Sequence, residues 1–382
     1  MGRLADLRLT QQTQHMRSRR YCNFYSKLTC ALLPLALAAV TMQRDGKSGV
    51  LAQPISDFLF ATAAINPTII DSTRRYLLGE AQLANTSCAS AANAVKLLTG
   101  DIVQTACWYK GDYEELFERL PVSYRHVKFL ICDNDCSHSP EDAIVVAKSR
   151  SVEQLVSRRT STVLPLNTPR HLKNIGVAVN DPISFRRKLP IAIWRGGSSS
   201  SCWEHFPNIS ADHTPRNKEC ARRNLVSRWA RSTDTTVDVG LTRLVQQASH
   251  FPEVYEPMLK EEIPWQDMLK YRYIVSVEGN DVASNLKWAL ASKSVVLMPK
   301  PSRESFALES KLKPWVHYVP LSYDTTDLIE KLSYCEMNSR VCEKISIRAT
   351  DWVRSLIDMD KVYELGARVL KQHLDRILIA AS

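Results

Sequence analysis

Residues Tyr273 to Pro320, YIVSVEGNDVASNLKWALASKSVVLMPKPSRESFALESKLKPWVHYVP, decide how this chain folds. The apolar run Tyr273 to Val277 reads as a strand, and Glu278-Gly279-Asn280-Asp281 as a tight loop. Leu286, Ala289 and Leu290 then fall at i, i+3 and i+4, the spacing of one face of an amphipathic helix. Val295-Val296-Leu297-Met298 reads as a second strand, which completes a βαβ unit. Such a loop brings free main-chain N–H groups to a helix N-terminus, with Asp281 or Ser284 as cap. That geometry attracts an anion, most often a phosphate. The stretch therefore predicts an α/β fold with a phosphorylated ligand.

A second segment, Leu189-Pro190-Ile191-Ala192-Ile193-Trp194-Arg195-Gly196-Gly197-Ser198-Ser199-Ser200-Ser201, runs from an apolar strand into a loop rich in donors. Glycine admits close approach of backbone amides to a ligand, and arginine and serine donate to phosphate oxygens. A Gly/Ser run also describes a plain surface linker. No Gly-Lys-Ser/Thr follows, so this is not a Walker A loop, and the absence of a GxGxxG triplet argues against a dehydrogenase.

Trp194-Arg195-Gly196, the run Glu278 to Trp288 and the run Lys313-Pro314-Trp315-Val316-His317-Tyr318-Val319-Pro320 occur in the order and spacing of glycosyltransferase family 90. The chain resembles that family over roughly residues 125 to 360, and the wording of Glu278 to Trp288 is most similar to its bacterial branch. The resemblance implies a GT-B architecture of two Rossmann-like αβ halves with a helical C-terminal tail. Residues 51–182 would form the acceptor side, and residues 183–382 the nucleotide-sugar side with the C-terminal helices. It implies inverting, metal-independent transfer of a sugar, glucose or xylose, from a UDP-sugar to a glycan or protein hydroxyl, with no cofactor beyond the donor. A second reading is a non-catalytic lumenal glycan-binding protein derived from such an enzyme. It is motivated by Asn285, which stands where the protein O-glucosyltransferases carry an arginine, and by a poorly matched base region.

Inverting transfer needs a general base beside the acceptor hydroxyl and charge stabilisation for a departing nucleoside diphosphate. The strand Val127 to Cys132 ends in Asp133-Asn134-Asp135, and the resemblance puts the base on Asp135, with Asp133 as the alternative. The same triplet is also an Asp-x-Asp metal motif, Cys132, Cys136 and His138 are zinc-compatible types, and Asp and Asn also simply cap strand ends. For the diphosphate, the resemblance points to Arg195, Gly196, Ser198 and an arginine of the pair Arg222-Arg223. It adds Gly279, Asn280, Asp281 and Ser284 from the second loop, with Lys287 as substitute for the missing arginine. Glu304 and Glu309 are types that bind ribose hydroxyls or occupy surface helix positions. Trp315 and His317 read as core or hinge residues.

The net charge of +10 suggests nucleic acid, but Met1 to Val50 holds eight Lys/Arg against two Asp and so supplies +6 of it. A nucleic-acid partner is not expected. Instead Arg17, Arg19, Arg20 and Lys27 precede the apolar run Leu28 to Met42, the pattern of a signal peptide or signal anchor. The expected location is the lumen of the endoplasmic reticulum or Golgi, cleaved or held as a type II membrane protein. The cysteine neighbours 88/107, 132/136, 202/220 and 335/342 suit local disulfides there, and Asn85 and Asn208 head glycosylation sequons.

Overall fold

The computed structural model describes residues 95–98, 109–132, 145–152, 161–200 and 220–381. Its strands in chain order are β1 (Val95–Leu98), β2 (Phe129–Cys132), β3 (Val145–Ala147), β4 (Ser149–Ser151), β5 (Ser161–Val163), β6 (Leu189–Gly197), β7 (Val237–Arg243), β8 (Tyr271–Val275), β9 (Val295–Met298), β10 (Arg303–Ser305) and β11 (Val319–Pro320). The principal helices are α1 (Lys110–Glu118), α2 (Ala221–Trp229), α3 (Leu286–Ala291), α4 (Leu328–Met337), α5 (Ser339–Val353) and α6 (Met359–Ala381).

The predicted βαβ unit is present as β8, α3 and β9. It lies in a five-stranded sheet of order β11-β9-β8-β6-β7 whose neighbours all run parallel. Parallel strands are covered on both faces and so read as unbroken apolar runs. Val295 to Met298 are accordingly all buried. A four-stranded sheet of order β1-β2-β3-β5 precedes it, with only β1 antiparallel. Directly after β3 the chain enters β4, which pairs antiparallel with β10 and so ties the early residues to the later sheet.

The amphipathic expectation for α3 is corrected: all six of its residues are buried, including Lys287. The reason is that α5 and the short helical turn Ile175–Ala178 both pack against it. The C-terminal helices bury Val362, Leu365, Val369, Leu374 and Ile377, and Ile345, Val353 and Leu356 before them. Val341, in the same helix as Ile345 and Val353, lies exposed. Cys335 and Cys342 form the expected local disulfide between α4 and α5. Closing so short a loop contributes about 2–3 kcal/mol through the unfolded state. Cys220 is also disulfide-bonded. Cys88, Cys107, Cys136, Cys202, Asn85, Asn208 and residues 1–50 lie outside the described residues. Among the described residues no helix is long and apolar enough to cross a membrane.

The last helix returns to the first sheet. In α6, Tyr363 donates to the buried Asp112 of α1 (2.6 Å), as does Thr168 (2.5 Å). Further along, His373 Nδ1 meets Thr162 Oγ1 of β5 at 2.9 Å. Burial, with Arg376 nearby, pushes the His373 imidazole down to about 3. A depressed folded-state value means this stability is present above the ordinary histidine range and is lost as pH falls towards 3. Thermal melts should therefore show a loss of about 2 kcal/mol between pH 7 and 5, at 1.36 kcal/mol per pH unit below about 6.5. His373→Gln, which keeps a polar partner for Thr162, should flatten that slope; an unchanged slope would place the acid sensitivity elsewhere.

Candidate active site

The order of the five-stranded sheet sets where a ligand fits. From β6 the chain steps to β7 on one side, then crosses back over β6 to β8. At such a reversal the loops leaving the two central strands diverge, and the crevice between their carboxyl ends is where doubly wound sheets bind ligands. Here those loops are Gly197–Ser200 after β6 and Ser276–Ser284 after β8. Both are the segments singled out from sequence.

Arg222, in the first turn of α2, joins them. Its Nη1 donates to Gly197 O (3.1 Å), Ser199 O (3.0 Å) and Ser199 Oγ (2.6 Å), and its Nη2 to Val277 O (3.3 Å). The guanidinium also lies over the Trp194 ring, 5.7 Å from the centroid. Gly279 is needed by the same packing. A Cβ there would stand 2.5 Å from Ser199 O and 2.7 Å from Arg222 Nη1, far inside contact distance. A Cβ on Gly196 would stand 2.7 Å from the Trp194 ring, so this glycine serves the stack beneath Arg222. The structure thus brings Gly196, Arg222 and Gly279 together at the crevice.

Next to them, Asn280 and Ser284 are half-buried. The main-chain N–H groups of Asn280, Ala283 and Ser284 donate no hydrogen bond among the described residues, and neither does the Ser284 hydroxyl. The loop therefore carries unspent donors, as an anion site requires. The helix that follows is capped differently from expectation. Asn285 occupies the cap position without a side-chain capping bond. Its amide instead accepts from Ser276 Oγ (2.9 Å) and donates to Val275 O (3.0 Å), fastening the loop to the end of β8.

Several residues read as ligand contacts are engaged within the protein. The Arg195 guanidinium is spent on a bidentate pair with Asp238 (2.8 Å to each oxygen) and on three main-chain carbonyls. Lys260 shares that carboxylate at 2.9 Å. Ser198 is fully buried, donating to Val245 O (2.9 Å) and accepting from Val245 N–H (2.8 Å). Arg223 is buried, beside Asn224 Oδ1 (3.1 Å) and near Tyr255. Asp281 accepts from Ser149 Oγ and from Val282 N–H (2.7 Å), and pairs with Lys148 (2.7 Å). Burial pulls the Asp281 carboxyl up, but the Lys148 ammonium and its hydrogen bonds outweigh that and hold it well below the usual carboxylate range. Lys287 is buried in an ion pair with Glu309. Glu304 pairs with Arg150 (2.7 Å), directly opposite it across β4 and β10. Neither glutamate is a surface residue.

These three buried pairs form a charged layer beneath the loop, and His171 stands among them. Burial, Lys287 and Lys148 hold its imidazole neutral, and its Nδ1 has no hydrogen-bond partner among the described residues. Removing one member of such a pair costs 3–5 kcal/mol because the other charge stays buried. The layer is scaffolding that fixes the loop from below.

A cleft opens beside Arg222 between the carboxyl ends of β8 and β9. Its walls include Ala221, Ser276, Glu278, Met298, Lys300 and Tyr323. Of these only Glu278 stood out in sequence. Ser276 and Lys300 carry no motif, although they follow the carboxyl ends of β8 and β9, where the sheet rule points. Glu278 accepts from Ser302 N–H (3.2 Å), Ser302 Oγ and Arg303 N–H (3.2 Å). Burial nevertheless pushes its carboxyl up to about 7. Asp133 and Asp135 lie outside the described residues, as do Ser201 and His138; β2 ends at Cys132, three residues before Asp135.

Comparison with known proteins adds to this geometry. Residues 177–377 match the family model described as glycosyl transferase family 90. The O-glucosyltransferase LpsA of Dichelobacter nodosus is 30% identical over 245 residues, 64% of this chain and 65% of that protein. Protein O-glucosyltransferase 2 of Danio rerio is 30% identical over 137 residues, 35% of this chain and 26% of that protein. Protein O-glucosyltransferase 3 of Homo sapiens is 31% identical over 111 residues, 29% of this chain and 22% of that protein. The chain thus spans just under two thirds of the bacterial relative and about a quarter of the vertebrate ones.

Proposed function

Because the chain belongs to glycosyl transferase family 90, we propose that it transfers a sugar, glucose or xylose, from a UDP-sugar to a hydroxyl of a glycan or protein, with inversion and without a metal. The observation that carries this reading is the crevice at the strand-order reversal, where Arg222 clamps two loops and the Gly279–Ser284 loop offers unspent N–H groups. The diphosphate would lie across those groups, with the Ser284 hydroxyl as a further donor. Arg222 positions the loops and adds a positive charge as the glycosidic bond breaks. The nucleoside would extend into the cleft beside Met298 and Tyr323. Asp135, following β2, would take the acceptor proton. The names of the relatives, O-glucosyltransferases, favour glucose as the transferred sugar. The N-terminal apolar run supports entry to the secretory pathway.

Glu278 gives this site a pH signature. Neutral below about 7, it becomes a carboxylate above that value, in the wall of the cleft that would take the nucleoside and directly before the loop that would hold the diphosphate. UDP affinity should therefore fall as pH rises from 6 to 8, and Glu278→Gln should remove that dependence. A wild-type affinity independent of pH would refute the assignment.

The second reading, a glycan-binding protein without turnover, rests on Asn285, whose amide is structural rather than cationic. Calorimetry of the purified full chain separates the two. UDP binding supports the transferase; binding of a glycan with no affinity for UDP supports the second reading.

A further inference from the structure

The run Lys313 to Tyr318 is the one quoted motif that the crevice does not use. It forms a tight turn in which Trp315 N–H donates to Tyr318 O (2.7 Å) and Lys313 N–H donates to His317 Nδ1 (3.1 Å). Trp315 is held at φ 60°, a left-handed conformation that a bulky side chain adopts only at a cost, and such positions gather at functional sites. The turn leads into β11, which runs parallel to β9. It therefore lies at the amino ends of the strands, opposite the crevice.

What the strain displays is an aromatic and apolar surface. Trp315 meets Tyr334 of α4 edge-on at 5.1 Å, and each is 38% exposed. Met337 at the end of α4 is 79% exposed, and Val341 in α5 is 46% exposed. Around them Lys313, Arg340, Lys344 and Arg348 are exposed and make no ion pair among the described residues. The neighbouring acids are taken: Glu336 by Arg272 (2.7 Å) and Glu343 by Arg186 (3.2 Å). Arg340, Lys344 and Arg348 form an i, i+4, i+8 column of like charge, an arrangement that weakens a helix.

We propose that this face docks on an anionic lipid bilayer, with Trp315, Tyr334 and Met337 entering the headgroup region and the cation column meeting lipid phosphates. Two complementary features select a bilayer over other polyanions. Unpaired cations attract any polyanion, but exposed Met337 and Val341 gain nothing from a nucleic-acid backbone, whereas a bilayer buries them. Tryptophan and tyrosine, with an apolar body and a polar edge, prefer that same interface. Docked this way, the crevice at the far end of the sheet faces away from the membrane. This inference is independent of the proposed reaction.

The test is co-sedimentation of the full chain with phosphatidylcholine vesicles, with and without phosphatidylglycerol. The readout is the salt-sensitive gain on adding phosphatidylglycerol, since residues 28–42 are common to all variants. R340E/K344E/R348E should lower that gain about a hundredfold, from the worth of each cation near a charged surface. These positions are exposed, so melts should match the wild type; the single variants serve if the triple one is unstable. Brominated lipid should quench the wild type more than Trp315→Phe. Equal gain in wild type and charge variants, equal quenching, or a preference for polyglutamate or RNA over vesicles would overturn the proposal.

Discussion

Asp135→Asn is expected to lower turnover by about 10²–10⁴-fold, the usual worth of a general base, while UDP affinity stays nearly unchanged. In the proposed reaction the base would act on the acceptor hydroxyl, whereas the donor would bind the loops after β6 and β8. The assignment comes from the resemblance to family 90 and from the place of Asp135 just after β2, a strand inside the first sheet and parallel to β3. Asp133→Asn is the internal control. Full activity in Asp135→Asn with loss in Asp133→Asn would move the base by two residues; full activity in both would remove it from this strand end.

The second large effect belongs to the clamp. Arg222→Ala strips four hydrogen bonds from carbonyl and hydroxyl oxygens that join the two loops. Charge-assisted hydrogen bonds are each worth about 1.5–3 kcal/mol, though not additively. UDP affinity should weaken about 10–100-fold. Gly279→Val should act in the same direction, because its Cβ collides with Ser199 O and Arg222. Arg195→Ala should behave oppositely: losing the Asp238 pair lowers the melting temperature and leaves UDP affinity in the folded protein largely intact. If Arg195→Ala abolished UDP binding and Arg222→Ala did not, the phosphate contact would belong to Arg195 after all.

The contrast between these two arginines shows what the sequence could and could not disclose. Apolar runs and Gly-bearing loops are local signals, so β6, β8, β9 and the two loops were all visible, and strand order then put them at one crevice. The fate of a charged side chain depends on partners far along the chain. Asp281 finds Lys148, Glu304 finds Arg150 and Arg195 finds Asp238 only once β4 pairs with β10 and β6 with β7. No spacing rule encodes those pairs. The full burial of α3 was hidden for the same reason, since α5 and the Ile175–Ala178 turn supply its cover. Arg222 was recognisable as a candidate, but its role as a strut between loops needed both loops in place. Lys300 and Tyr323 belong to none of the motifs and were found only from the cleft they line.

The central claim, that a UDP-sugar is turned over in the crevice between β6 and β8, is tested most directly by UDP release. The full chain is incubated with a panel of UDP-sugars and candidate glycan and peptide acceptors, with and without EDTA, beside Arg222→Ala. The account predicts acceptor-dependent UDP release from UDP-glucose or UDP-xylose, unchanged by EDTA and strongly reduced in the variant at limiting donor concentration. Release abolished by EDTA would contradict the metal-independent mechanism, and release equal in wild type and Arg222→Ala would contradict the site.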